Sequence, residues 1–152
     1  MTKAEATVWS AKYSNEYSYA NDRLASVSHN TASNACDVTY SFAYDALGRK
    51  TQVSVGKQPL STNTYSDDRW GLLTRVDYGN GGKVRYAYDD YGRLASVGYD
   101  DGPADRYTYS YGANGQVAIV TDSFLGRTHQ TEYDLAERPV QHTQRSASGT
   151  LQ

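Results

Sequence analysis

Tyrosine returns along this chain at a nearly fixed interval, and that recurrence limits the fold more than any other feature. Anchor tyrosines stand at positions 19, 44, 65, 88, 111 and 133, spaced by 25, 21, 23, 23 and 22 residues. Similar flanks go with the spacing. Tyr17-Ser18-Tyr19 leads to Arg23-Leu24-Ala25-Ser26-Val27. Phe42-Ala43-Tyr44-Asp45-Ala46-Leu47-Gly48-Arg49 leads to Val53, and Tyr86-Ala87-Tyr88-Asp89-Asp90-Tyr91-Gly92-Arg93-Leu94 leads to Val97. Tyr109-Ser110-Tyr111-Gly112-Ala113-Asn114-Gly115-Gln116-Val117 follows the same scheme. Tyr65, with Gly71 and Leu72, and Tyr133-Asp134 through Arg138 are looser copies. A period of this length belongs to repeat architectures, in which each copy buries its surface against its neighbours. Six copies fill residues 1–152 as one array.

Each copy reads as a β-hairpin. Tyr, Val and Thr favour strands, and alternation places Tyr86 and Tyr88 on one face. Four residues, Asp89 to Gly92, separate Tyr88 from Arg93, a length usually built on a type I turn. Asp at the turn start accepts a backbone N–H two residues on, and Gly at its end takes a positive φ without steric cost. Second turns join the copies, at Gly79-Asn80-Gly81-Gly82 with its Asn-Gly hairpin signal and at Asp100-Asp101-Gly102-Pro103. The predicted fold is all-β: consecutive antiparallel hairpins in a curved, twisted sheet. Ala4–Ala11 is the one stretch that could be helical, and Thr7, Val8 and Trp9 fit a strand as well. The tail from Ser146 reads as a flexible loop. The first copy lacks the turn Gly and is one residue short. The fifth has Gly112 and Gln116 in the Asp and Arg slots, and the sixth has Glu137 in the Gly slot. Different turn geometry is expected in all three.

Composition supports a thin structure. Leu, Ile, Val and Phe make up about 15% of the chain, a fraction found in disordered proteins when net charge is high. Here the formal net charge is only -2, and fifteen tyrosines make up the deficit. A tyrosine ring buries apolar area while its hydroxyl stays wet, which suits a sheet wetted on both faces. The charge balance argues against a nucleic-acid binder with a broad basic face. No apolar run approaches the ~20 residues of a membrane span, and Met1–Glu5 lacks the core of a signal peptide.

The Tyr-x-Tyr-Asp-x-x-Gly-Arg-Leu pattern resembles the YD repeat of the RHS family. Residues 86–94 match it throughout, and 42–50 match it except at Phe42 and Lys50. The family includes bacterial RHS toxins, insecticidal Tc toxin subunits, wall-associated proteins and the animal teneurins. The resemblance implies a β-sheet strip that spirals into a hollow shell, around a toxic domain or within an adhesion ectodomain. It also implies a secreted or cell-surface location. Six copies are too few to wrap a toxin-sized cavity. The Asp-Pro-x-Gly-Leu core of many bacterial members is absent, since none of Pro59, Pro103 and Pro139 follows Asp.

No enzyme constellation stands out, and no cofactor is expected. Asp67-Asp68, Asp89-Asp90 and Asp100-Asp101 are neighbours in turns or strands, where side chains diverge, whereas a glycosidase pair faces across a substrate. Turn formation is their expected role, and a hydrolase would rest on them alone. His29, His129 and His142 are scattered without metal-ligand spacing, so no metal site is assigned. Cys36 is the only cysteine and reads as a small buried or half-buried residue. The expected motif residues are Tyr17, Tyr19, Tyr44, Asp45, Gly48, Arg49, Tyr65, Tyr86, Tyr88, Asp89, Gly92, Arg93, Tyr109, Tyr111, Gly115, Tyr133, Asp134 and Arg138. The tyrosines interlock hairpins, and each Arg packs on a neighbouring Tyr or pairs with a turn Asp. Two functions follow. One is a structural wall segment whose partners are neighbouring repeats of a parent chain, or other copies pairing edge to edge. The other is a module that binds glycans or a protein with exposed tyrosine rows.

Overall fold

The computed structural model of the chain describes residues 2–8, 11–31, 36–100 and 105–146. Among these residues there is no helix. Thirteen strands follow one another: β1 (Thr2–Val8), β2 (Ala11–Ala20), β3 (Arg23–Asn30), β4 (Cys36–Tyr44), β5 (Lys50–Val55), β6 (Gln58–Tyr65), β7 (Leu73–Tyr78), β8 (Lys83–Tyr88), β9 (Leu94–Tyr99), β10 (Tyr107–Tyr111), β11 (Val117–Asp122), β12 (Arg127–Tyr133) and β13 (Pro139–Ser146). Their order in the sheet is the order of the chain, so the sheet is open, with β1 and β13 last on either side. Short loops between strands that favour extended backbone leave each strand no nearer partner than its successor. Of the Ala4–Ala11 stretch, residues 4–8 belong to β1 and Ala11 opens β2, while Trp9 and Ser10 lie outside what is described. Ser146, expected in a loose tail, instead closes β13 opposite Arg127. Residues 147–152, Asp101-Gly102-Pro103 and the Cys36 side chain lie outside what is described.

Two compact units divide the chain, Met1–Thr64 with Val76–Gly81 and Tyr65–Arg75 with Gly82–Gln152. In the first, β2 and β3 turn through Asn21 and Asp22 at φ 50° and 58°, the mirror-image turn whose twist matches the strands. The missing glycine of copy one thus selects a different, two-residue turn, as expected. At Gly79–Gly81, the Gly81 N–H donates to the Tyr78 carbonyl at 2.9 Å. Gly81 takes φ 92°, while Asn80 stays out of the left-handed region. The Asn-Gly signal is used through its glycine alone.

The core is as thin as the composition implies. Val76 and Asn30 are buried in the first unit, and Val84, Val97, Ser96 and Asp122 in the second. Among the described residues no side chain is fully buried. Packing rests instead on cross-strand pairs, which stabilise sheets when aromatic and β-branched residues face each other. The first aromatic of each motif stands opposite a valine: Tyr17↔Val27, Phe42↔Val53, Tyr86↔Val97 and Tyr109↔Val120. No helix among the described residues is long and apolar enough to cross a membrane.

Candidate functional site: turns and the interlocks between copies

The turn at Asp89–Arg93 shows what the motif encodes. The Asp89 N–H donates to the Arg93 carbonyl and the Gly92 N–H to the Asp89 carbonyl, both at 2.9 Å. Gly92 has φ 77°, which only glycine reaches cheaply. The Asp89 carboxylate accepts the N–H groups of Tyr91 and Arg93 on Oδ1, at 2.9 Å each, and Arg93 Nε on Oδ2 at 2.7 Å. Partial desolvation pushes the carboxyl pKa up, but the Arg93 and Tyr91 hydrogen bonds and the guanidinium charge outweigh it, and the net shift is down. The Asp45–Arg49 and Asp134–Arg138 turns repeat this clamp, with Nε to Oδ2 distances of 2.6 and 2.8 Å. The Asp45 carboxyl is lowered in the same way, against desolvation. At Asp134 the Arg138 hydrogen bonds lead and again lower it.

The fifth and sixth copies correct the expectation of altered turns. The Gly112 N–H donates to the Gln116 carbonyl, and Gly115, at φ 84°, donates to the Gly112 carbonyl. The Asp134–Arg138 turn keeps the same backbone bonds with Glu137 at φ 63°. The backbone pattern therefore survives loss of the carboxylate in one copy and of the glycine in the other. Copy three differs more. Ser66 takes the Asp slot, and its Oγ accepts the Leu72 N–H at 2.9 Å across a loop two residues longer. Asp68 holds that loop by accepting Ser66 Oγ and the N–H groups of Trp70 and Gly71. These bonds, the Ser66 hydroxyl first, lower its carboxyl pKa.

Successive copies are joined by two contacts that run in opposite directions. Backward along the chain, the anchor tyrosine hydroxyl donates to a carbonyl at the start of the preceding return strand. Tyr44 reaches Leu24 at 3.0 Å, Tyr88 reaches Leu73 at 2.7 Å, Tyr111 reaches Leu94 at 2.7 Å and Tyr133 reaches Val117 at 3.0 Å. Burial raises the Tyr88 pKa, which keeps this donor protonated. Forward along the chain, the Arg-slot side chain covers the tyrosine and the Gly slot of the next copy. The Arg93 guanidinium lies 4.3 Å from the Tyr111 ring centre, and Arg23 lies 5.9 Å from that of Tyr44. A Cβ built on Gly48 would overlap the Arg23 guanidinium, one on Gly92 would touch Trp70 at 3.5 Å, and one on Gly115 would lie 3.8 Å from Arg93. Where the slots hold Gln116 and Glu137, Gln116 Nε2 donates to the Glu137 carbonyl at 3.2 Å.

The expected motif residues therefore fall into linked sets. Tyr44, Tyr88, Tyr111 and Tyr133 carry the backward bond. Asp45, Asp89, Asp134, Arg49, Arg93 and Arg138 form the clamps. Gly48, Gly92 and Gly115 close the turns. Tyr17, Tyr86 and Tyr109 pair with valines. Tyr19 is 56% exposed, and Tyr65 sits half-buried at the end of β6. One recurrent feature escaped the sequence. The pairing slips just before the anchor tyrosine in every described copy of the regular kind, leaving Ala25, Thr51, Ala95, Ala118 and Val140 unpaired as bulges. A bulge bends its strand and increases local twist. The identical Arg-Leu-Ala-Ser-Val runs at 23–27 and 93–97 were the available signal. The Arg106–Asp122 pair was also missed. Nε and Oδ1 lie 2.9 Å apart, and Asp122 Oδ1 accepts the N–H groups of Phe124 and Leu125 at the β11–β12 turn.

A groove of about 650 Å³ runs beside the long turn, lined by Trp70, Tyr86, Tyr88, Asp68 and Asp90 among others. Trp70 is 48% exposed. Arg69 lies 4.7 Å from its centre, and its edge packs on Gly92.

No curated protein sequence matches the chain. Among solved structures, the chain is similar in fold to TcdB2-TccC3 without its hypervariable C-terminal region, with a TM-score of 0.68 and 18% identity. That likeness covers 87% of this chain and 7% of the other. It is also similar to TcdB2-TccC3-Cdc42 and to the Photorhabdus luminescens Tc holotoxin pore, each with a TM-score of 0.57 and 15% identity. These cover 93% of this chain and 10% and 9% of theirs. The RHS Repeat family model matches residues 68–104, a span that holds the complete Asp89–Arg93 clamp and its two tyrosines. Residues 68–104 thus carry an RHS repeat, in the YD form that the Asp89–Arg93 turn spells out.

Proposed function

We propose that this chain is a structural segment: part of the wall of a β-shell or stalk in a larger secreted or cell-surface RHS-type protein. Such a wall encloses a toxin or displays an adhesion surface, and the segment itself carries out no catalysis. The observation that supports this reading is the two-way interlock. Tyr44, Tyr88, Tyr111 and Tyr133 spend their hydroxyls, and Arg23 and Arg93 their guanidinium groups, on the copies beside them. The partners are then neighbouring repeats, of the parent chain or of another copy. The terminal turn suits such a partner. Arg138 holds Asp134, yet its side chain is 78% exposed. The Pro139 carbonyl occupies the position that Leu94 and Val117 occupy when they accept a tyrosine.

The test is to extend the array. A duplicate of residues 83–104 is appended after Ser146 in place of the present tail, and denaturant stability is measured. In a repeat array, an added copy that docks raises stability through its new interface. The expected result is a higher midpoint, with hydrogen-exchange protection of the added tyrosine strand. An added copy that exchanges freely and leaves the midpoint unchanged would overturn the reading.

The glycan-binding alternative draws less support, because the hydroxyls of Tyr44, Tyr88, Tyr111 and Tyr133 are committed to carbonyls. Titration with a glycan panel, followed by tyrosine and tryptophan fluorescence, decides it. A saturable response would revive it.

A further inference from the structure

Strand register brings together two histidines that stand thirteen residues apart. On β12 and β13, His129 faces Gln144, and Thr131 faces His142, so the histidines are diagonal neighbours. Their ring centres lie 5.6 Å apart with planes at 26°. His142 is exposed and His129 half-buried, which leaves the pair open to solvent. His142 Nδ1 lies 3.2 Å from Thr131 Oγ1. We propose that His129 and His142 together bind one divalent transition-metal ion, of the zinc, nickel or copper class, across the β12–β13 hairpin.

The geometry is close to what an ion requires. Imidazole nitrogens bind zinc at ~2.0–2.1 Å, which places two rings on one tetrahedral ion with centres about 5 Å apart. The observed ring spacing of 5.6 Å is near this, and binding requires the two rings to turn their nitrogens toward one point. The Thr131 hydroxyl supplies the outer contact. When it accepts the Nδ1 proton of His142, Nε2 keeps the lone pair that a metal needs. The residues opposite the pair are uncharged: Val120 and Gln144 flank His129, and Thr131 faces His142. No fixed cation stands directly across from either ring. Among the described residues no three His, Cys, Asp or Glu side chains gather, so water fills the remaining positions. Imidazole ligands suit zinc, nickel and copper, whereas calcium and magnesium prefer oxygen. The third histidine supplies a control: His29 Nδ1 is held by Asn15 Oδ1 at 2.8 Å, and its ring stacks on Tyr13.

The test uses the full 152-residue chain. Zinc chloride, then nickel chloride, is titrated at pH 7.5 by calorimetry, and imidazole resonances are followed by NMR. We expect one ion per chain, shifts confined to two of the three histidines, and a Tm raised by about 4 °C at saturating zinc. His129→Ala and His142→Gln should each abolish the Tm shift, and His29→Ala should keep it. Unshifted imidazoles in the unaltered chain would overturn the proposal even if a variant failed to fold. So would undiminished binding by the His129→Ala, His142→Gln double variant.

Discussion

The turns at Asp89–Arg93 and Gly112–Gln116 share one backbone and differ in chemistry. Both close with a 2.9 Å bond from the glycine N–H to the carbonyl three residues earlier, and with φ near 80°. Only the first has a carboxylate holding a guanidinium. The shape of the turn thus comes from the left-handed glycine and the strand ends. The Asp–Arg clamp adds strength and fixes where the arginine points. Lacking it, Gln116 still reaches the next copy, through an amide in place of a charge.

The largest effect tests what the two turns have in common. Tyr88→Ala and Tyr111→Ala remove the same interlock, and each should cost about 2–3 kcal/mol in a denaturant melt, below a fully buried aromatic because both rings are half-buried. Asp90→Ala, at an exposed site of the first turn, should stay within about 0.5 kcal/mol. A cost at Tyr88 much above that at Tyr111 would mean that the clamp and the interlock are coupled. Next come the glycines. Gly92→Ala and Gly115→Ala force a side chain into the left-handed region and should each cost about 1 kcal/mol. Gly48→Ala adds an overlap with Arg23 and should cost about 2 kcal/mol. Equal losses at all three would show that Arg23 moves aside freely.

A smaller change isolates the hydroxyl. Tyr111→Phe leaves the ring and strands the Leu94 carbonyl, for about 1 kcal/mol. Acid then separates the turns directly. The Asp45, Asp89 and Asp134 carboxyls titrate below their unfolded values. Their contribution is therefore complete above about pH 4 and is lost as pH falls through the folded pKa values. Hydrogen-exchange protection of amides 89–93 should drop between about pH 4 and pH 2 while that of 112–116 holds. A parallel fall in both would assign the acid response to the whole sheet. The smallest effect is a gain. Gly112→Asp with Gln116→Arg rebuilds the clamp and should add about 0.5 kcal/mol.

Much of this was legible because the motif is local. Nine residues hold both tyrosines, the turn Asp, the Gly and the Arg, so hairpins and clamps could be read from one window. What could not be read depends on register. The tyrosine acceptors are backbone carbonyls, which carry no residue identity. The bulge at Ala95 leaves no mark beyond the Arg-Leu-Ala-Ser-Val run it shares with residues 23–27, and the bulges at Thr51 and Val140 lack even that. His129 and His142 meet only because β13 returns beside β12 in one particular alignment. The turns of copies five and six were misjudged for a related reason. The backbone sets their geometry by itself, without the side chains that the motif supplies elsewhere.

The opposed contacts between copies bear on how such a chain can lengthen. Because hydroxyl, guanidinium and carbonyl meet between equivalent slots in the regular copies, a cut at one of their slots rejoins correctly with a cut at the same slot in another. The heritable module is then a window of about 23 residues with no privileged start. Unequal crossing-over can add or remove such windows without orphaning a partner. Drift has less freedom than duplication, since the Arg slot of one copy and the Gly slot of the next share a contact. Gln116 and Glu137 both depart from the pattern and still share a contact across these two slots.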